Sequence, residues 1–231
     1  MSVLILTAHG SADPRSAEVT RAVAEQIGIL RPALDVRVAF CERSEPNLCD
    51  VLAGLDQPGV VTPLLLASAY HARVDIPEMI EKSGADVVQA EALGEDPRLI
   101  EVLHQRAVEC ATPPAETGVL VVAVGSSHTE ANARTATLAE TLPGDWAAVR
   151  VAFATGPQPS VQDGIAQLRA LGVGQIVAAP WFIAPGRITD RVAATTTAVD
   201  AVMAEPLGAH PLVATTVLDR FDRAIAGRLV A

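Results

Sequence analysis

Three side chains suited to metal and proton chemistry punctuate the first half of this 231-residue chain: His9, Glu42 and His71. Each follows a short apolar run that reads as a strand: 3–8 before His9, 36–41 before Glu42 and 59–66 before His71. In an open parallel sheet, ligands bind where the carboxyl ends of the strands form a rim. That rule puts the three residues on one rim. Imidazole and carboxylate suit borderline divalent ions such as Fe(II), Co(II) and Ni(II). Three such donors leave coordination positions open, as exchange or catalysis requires and a structural staple does not. The same groups can exchange protons, histidine at its ordinary pKa and a glutamate where its surroundings raise it. By itself Glu42 reads as a solvated loop acid; its place between two histidines in strand order makes a functional role an equal reading. His104 and His210 read as surface residues, and His128 opens a helix in the second half, close to the opposing rim.

The elements that must position these groups occur twice. Val36-Arg37-Val38-Ala39-Phe40 returns as Val149-Arg150-Val151-Ala152-Phe153. Around it, 3–11 overlays on 119–127, Pro46 on Pro159, and 63–67 on 180–184. The offset drifts by only a few residues, so a whole domain is duplicated, with a period too long for a solenoid. On this overlay His9 faces Gly125 and His71 faces Ile188, so the second half lacks both imidazoles. Continuous apolar runs predict buried strands at 3–8, 36–41, 59–66 and 86–90, then at 119–124, 148–153, 175–182 and 211–214. Helical patterns run from Pro14, Pro46, Asp75 and Pro97, with Pro in or near the first turn and Gly near several ends. Alternating strand and helix predicts an α/β protein of two domains, 1–112 and 118–231, each a small parallel sheet flanked by helices. The expected arrangement is a pseudo-twofold pair facing across a cleft.

Composition narrows the class. Half of the residues are hydrophobic and 19% are charged, as in compact globular proteins. No apolar run approaches the roughly 18–20 residues that span a bilayer, and Met1-Ser2 leads into the first strand without a basic leader. A cytoplasmic protein is expected. A formal charge of −10 argues against nucleic-acid and anionic-membrane partners. An acidic small molecule remains compatible wherever arginines gather. Cys41, Cys49 and Cys110 form no Cys-x-x-Cys pair and read as free thiols. Cys41, directly before Glu42, leaves open a soft ligand near the rim.

Several segments carry a resemblance. Ala8-His9-Gly10-Ser11, Phe40-Cys41-Glu42 leading to Pro46, Tyr70-His71-Ala72-Arg73-Val74-Asp75-Ile76-Pro77 and the second-half run Ala179 to Arg187 resemble the class II tetrapyrrole chelatases of the CbiX/SirB type, in their long, internally duplicated form. The resemblance implies two chelatase-like domains that insert Co2+, Fe2+ or Ni2+ into sirohydrochlorin, in cobalamin or sirohaem biosynthesis. It implies that His9 and His71 bind the incoming metal and serve deprotonation of the macrocycle, with Glu42 helping. The metal is then substrate, and no permanently bound cofactor is expected. Gly10, Ser11 and Tyr70 would contact the substrate, and Arg15, Arg43 and Arg73 would supply charge-assisted bonds to its carboxylates. Ser127 and Arg187 would do the same from the second half. Because both halves are fused, a monomer is expected. A histidine phosphatase also begins with a strand and His-Gly, but its histidine follows an arginine, and here Ala8 stands there. A non-enzymatic tetrapyrrole or metal carrier could use the same cleft and the same histidines.

Overall fold

The computed structural model describes residues 2–67 and 71–230, with the side chains of all of these except 71, 229 and 230. The first repeat runs β1 (Val3–Ala8), α1 (Pro14–Leu30), β2 (Val36–Phe40), α2 (Leu48–Ala53), β3 (Gly59–Pro63), a π-turn (His71–Asp75) leading into α3 (Ile76–Ser83), β4 (Val87–Gln89) and α4 (Pro97–Val108). The second runs β5 (Thr117–Ala123), α5 (Thr129–Ala136), α6 (Leu138–Thr141), β6 (Ala148–Phe153), α7 (Val161–Ala170), β7 (Gln175–Pro180), α8 (Arg187–Thr197), β8 (Val202–Met203) and α9 (Pro211–Val230). The two four-stranded sheets share one order, β2-β1-β3-β4 and β6-β5-β7-β8, and every pairing is parallel. Central strands β1 and β5 are buried along their whole length, which is why their apolarity is continuous and not alternating. Asp13, Asn47 and Asp96 cap α1, α2 and α4 by accepting a backbone N–H, with Pro in the first turn of α1 and α4.

One expected strand is a helix. Residues 211–214 open α9, and the fourth strand of the second sheet is Val202–Met203. Val213, Ala214, Val217, Leu218 and Phe221 are buried at helical spacing. A four-residue apolar window cannot separate the two periods, and the longer window selects the helix.

Strand register also corrects the overlay of the repeats. Leu4 pairs with Val36 and Val60, and Val119 pairs with Val149 and Val177. Leu4 therefore corresponds to Val119, one position away from the overlay of 3–11 on 119–127. The counterpart of His9 is Val124, not Gly125, and Gly125 (φ +93°) matches Gly10 (φ +91°). A uniform apolar run has no internal phase, so a slip by one leaves its pattern unchanged. The recurrence of Ala8-His9-Gly10-Ser11 as Ala123-Val124-Gly125-Ser126 carries the correct phase.

The compact units do not coincide with 1–112 and 118–231. One consists of Met1–Gly94 with Ala209–Ala231, the other of Glu95–Gly208. Helix α4 packs on β7, and α9 packs on β3 and α1. Each repeat thus gives its last helix to the other repeat's sheet. Nothing in the local sequence of an amphipathic helix states which sheet it will cover, so this exchange leaves the sequence period unchanged.

Candidate functional site

In the first unit, β1 and β2 are neighbours in register, with Ala8 beside Phe40. The ladder continues beyond them: the Cys41 N–H donates to the Ala8 carbonyl and the Glu42 N–H to the His9 carbonyl, each at 3.0 Å. His9 and Glu42 therefore leave adjacent strand ends together. Gly10 permits this closeness, because a Cβ there would stand 1.7 Å from the Glu42 carbonyl oxygen. Its positive φ is a second reason for glycine.

His9 Nδ1 lies 2.9 Å from the Gly10 carbonyl oxygen and 3.7 Å from Glu42 Oε1. With a carbonyl as its partner, Nδ1 carries the hydrogen and the ring's lone pair falls on Nε2. Metal-ligating histidines are oriented in this way, through a hydrogen bond from the other ring nitrogen. The two side chains are 35% and 46% exposed. Even with the imidazole protonated, an ion pair so open to water would be worth about 0–1 kcal/mol, too little to explain the pair as a fold device. Arg43, at φ +57°, places Nε 3.0 Å from Glu42 Oε1.

His71 opens the π-turn that follows β3. Its side chain and the whole of Tyr70 lie outside the described residues. Of the three expected donors, the described residues bring His9 and Glu42 together.

The expected substrate contacts have partners of their own. Ser11 Oγ accepts the Asp13 N–H at 3.0 Å. Its backbone is clasped by Ser44, whose Oγ accepts the Ser11 N–H at 3.1 Å and donates to the Ser11 carbonyl at 2.9 Å. Ser44 was not anticipated, since a loop serine carries no sequence signal for such a clasp. Arg15 binds Asp13 through Nε at 3.0 Å and through its terminal nitrogen at 2.6 Å. Arg73 lies in the π-turn and is exposed.

The second unit repeats the scaffold with different chemistry. The Thr155 N–H donates to the Val124 carbonyl at 3.0 Å, as Glu42 does to His9, so Thr155 stands in the glutamate's place. Val124 is 39% exposed. Asn132 supplies the clasp, accepting the Ser126 N–H at 2.9 Å and donating to the Ser126 carbonyl at 2.6 Å. Ser126 Oγ accepts the His128 N–H at 3.1 Å, so Ser126, and not Ser127, matches Ser11. His128 is the exposed N-cap residue of α5, Ser127 is exposed in the loop before it, and Arg187 is the exposed first residue of α8.

Cys41 behaves as an apolar residue. It is 6% exposed and packs in the core with Leu48, Leu52 and Ile76. Burial, reinforced by the charges of Asp75, Glu42 and Cys49, pushes its thiol up to about 11. The side chain next to Glu42 in sequence thus serves core packing.

A single family model, CbiX, matches residues 3–110 and again residues 118–224. The chain belongs to the CbiX family. Its two matches are the two copies of one CbiX unit that the register and the loop hydrogen bonds pair residue by residue. Among relatives, the sirohydrochlorin cobaltochelatase of Priestia megaterium is 24% identical, over 99% of this chain and 82% of that protein. The sirohydrochlorin ferrochelatase of the same organism is 26% identical, over 91% of this chain and 85% of its own length. In fold, the chain is similar to SirB from Bacillus subtilis with Fe3+, with a TM-score of 0.82 at 22% identity, covering 99% of this chain and 97% of SirB. The CbiX unit used twice accounts for both the sheet order and its repetition.

Proposed function

We propose that this CbiX protein is a sirohydrochlorin metal chelatase: it exchanges the two pyrrole N–H protons of sirohydrochlorin for Co2+ or Fe2+, releasing two protons per ion. The observation that carries the reading is the pairing of His9 with Glu42 at adjacent strand ends in a chain that matches the family over both repeats. The two relatives, a cobaltochelatase and a ferrochelatase by name, support both ions. Ni2+ is the third ion that an imidazole and carboxylate donor set accommodates.

His9 Nε2, Glu42 and His71 are the donors that receive the incoming ion as it sheds water. The same groups take the protons as the macrocycle's nitrogens replace them. Glu42 and Arg43 keep charge of both signs at the rim, so proton uptake need not strand an isolated charge. The carboxylates of the tetrapyrrole are assigned to Ser11, Gly10, Tyr70 and the arginines Arg15, Arg43 and Arg73, with Ser127 and Arg187 from the second repeat. Release of Arg15 from Asp13 would be part of that binding. The protein is expected to work as a cytoplasmic monomer, in sirohaem or cobalamin formation. No helix among the described residues is long and apolar enough to cross a membrane.

The test is a timed absorbance scan of sirohydrochlorin with Co(II), Fe(II) and Ni(II), with and without protein. Insertion accelerated by catalytic amounts of protein is the expected result. Stoichiometric binding without acceleration would make it a carrier.

A further inference from the structure

The repeats diverge at the segment after their third strands. In the first, the π-turn His71–Asp75 runs into α3; in the second, α8 is α-helical from Arg187. Fixed points on both sides measure the difference. The Leu93 N–H donates to the Leu65 carbonyl and the Leu207 N–H to the Phe182 carbonyl, each at 2.9 Å, so Leu65 and Phe182 correspond. Gly84 (φ +64°) and Asp200 (φ +52°) also correspond, since each donates its N–H at 3.3 Å to the carbonyl three residues before it. The first repeat spends one residue more between these points than the second. A π-turn, closing from i to i+5 instead of i+4, takes up one such residue.

The turn leaves a hydrogen-bonding gap. In the i to i+5 pattern, the carbonyl of Ala72 would accept from the N–H of residue 77, and Pro77 has none. Ala72 is buried, so water is a poor substitute, and an unpaired buried carbonyl is costly. The donor comes from β4: Gln89 Nε2 lies 2.7 Å from the Ala72 carbonyl oxygen. Only the amide NH2 can donate there, which fixes the orientation of the side chain. Register puts Met203 at Gln89's position, because Gln89 pairs with Val61 and Met203 with Ala178. Met203 packs against the second core and offers no donor. Additional residue, proline and glutamine thus occur together in the repeat that carries the metal donors.

We propose that Gln89 is a positioning residue of the metal site: its amide secures the π-turn that His71 opens and so sets where that residue's backbone stands. The inference rests on the reading of His71 as a metal donor. Gln89→Met tests it well, because methionine keeps the length and apolar packing, is the residue the second repeat uses, and removes the donor. The expected result is a Co(II) affinity of the full-length apo protein lowered about ten- to a hundred-fold, as for other residues that orient metal ligands. Because Arg73 lies in the same turn, KM for sirohydrochlorin should rise too, by less than the Co(II) affinity falls, and the amide hydrogens of 73–76 should exchange faster. Wild-type Co(II) affinity in the folded variant would overturn the proposal, as would weakened binding without faster exchange at 73–76. Should Gln89→Met not fold, Gln89→Leu, apolar and lacking a donor, carries the same readouts. His71→Ala measured in parallel tells the two failures apart. Unchanged Co(II) affinity there overturns the donor reading and this inference with it; weak binding there with normal binding in Gln89→Met overturns the inference alone.

Discussion

Removing a half-exposed imidazole changes what a protein can bind far more than whether it folds. His9→Ala and Glu42→Gln should therefore melt within a degree or two of the wild type, since surface changes usually cost less than about 0.5 kcal/mol, while insertion slows by about 10²–10⁴-fold. A variant that folds normally and inserts Co(II) at the wild-type rate would remove that residue from the site. Gly10 makes the opposite case. Gly10→Ala drives a Cβ into the Glu42 carbonyl and should lose both stability and turnover, because the collision displaces the backbone of Glu42, a proposed donor. Gly84, also at positive φ but with nothing within 4 Å of an added Cβ, is the control. Gly84→Ala should cost about 1–2 kcal/mol of conformational strain in a denaturant melt and leave turnover intact. At this scale the sequence spoke through residue type: histidine and glutamate after apolar runs are conspicuous. Ser44 and the glutamine behind the π-turn were silent, because their importance lies in which carbonyl or amide they meet, and a loop serine or strand glutamine does not announce its partner.

An element carries its chemistry only in the right register. β1 and β5 have the same neighbours in the same order, yet the positions facing the rim read His9 and Glu42 in one and Val124 and Thr155 in the other. The second repeat, whose α8 also lacks the π-turn, should hold no equivalent metal site. Titration of the apo protein with Co(II) is expected to show one productive site per chain, and Val124→His should not create a second. Two equivalent sites in the wild type, or a new one in Val124→His, would show that the donors have been misassigned. Most elements were legible because caps, prolines and uniform apolar runs act locally. The exceptions have one physical root. Neither the phase of a uniform run nor the period of a four-residue window is defined by its own residues, so the overlay slipped by one and the start of α9 read as a strand. An i to i+5 turn leaves no mark in a single sequence beyond its surplus residue.

For the whole molecule, the exchange of terminal helices decides what can fold alone. Helix α4 buries Leu99, Ile100, Val102 and Leu103, and full burial of each such side chain contributes about 1.5–3 kcal/mol. Together they are comparable with the entire stability of an ordinary domain, about 5–15 kcal/mol. A chain of residues 1–112 would carry this apolar face away from its sheet and lack the helix that covers β3. Expressed alone, it should associate or fail to fold, whereas coexpression with 118–231 should restore a soluble pair. A stable, monomeric 1–112 fragment in sedimentation and circular dichroism would contradict the exchange. The exchange has a consequence for descent as well as for folding. Once each copy closes the other, deleting either one exposes both, so selection on the first copy's chemistry also preserves the second copy's frame. The second copy can carry valine and threonine where the first has His9 and Glu42, but it cannot disappear.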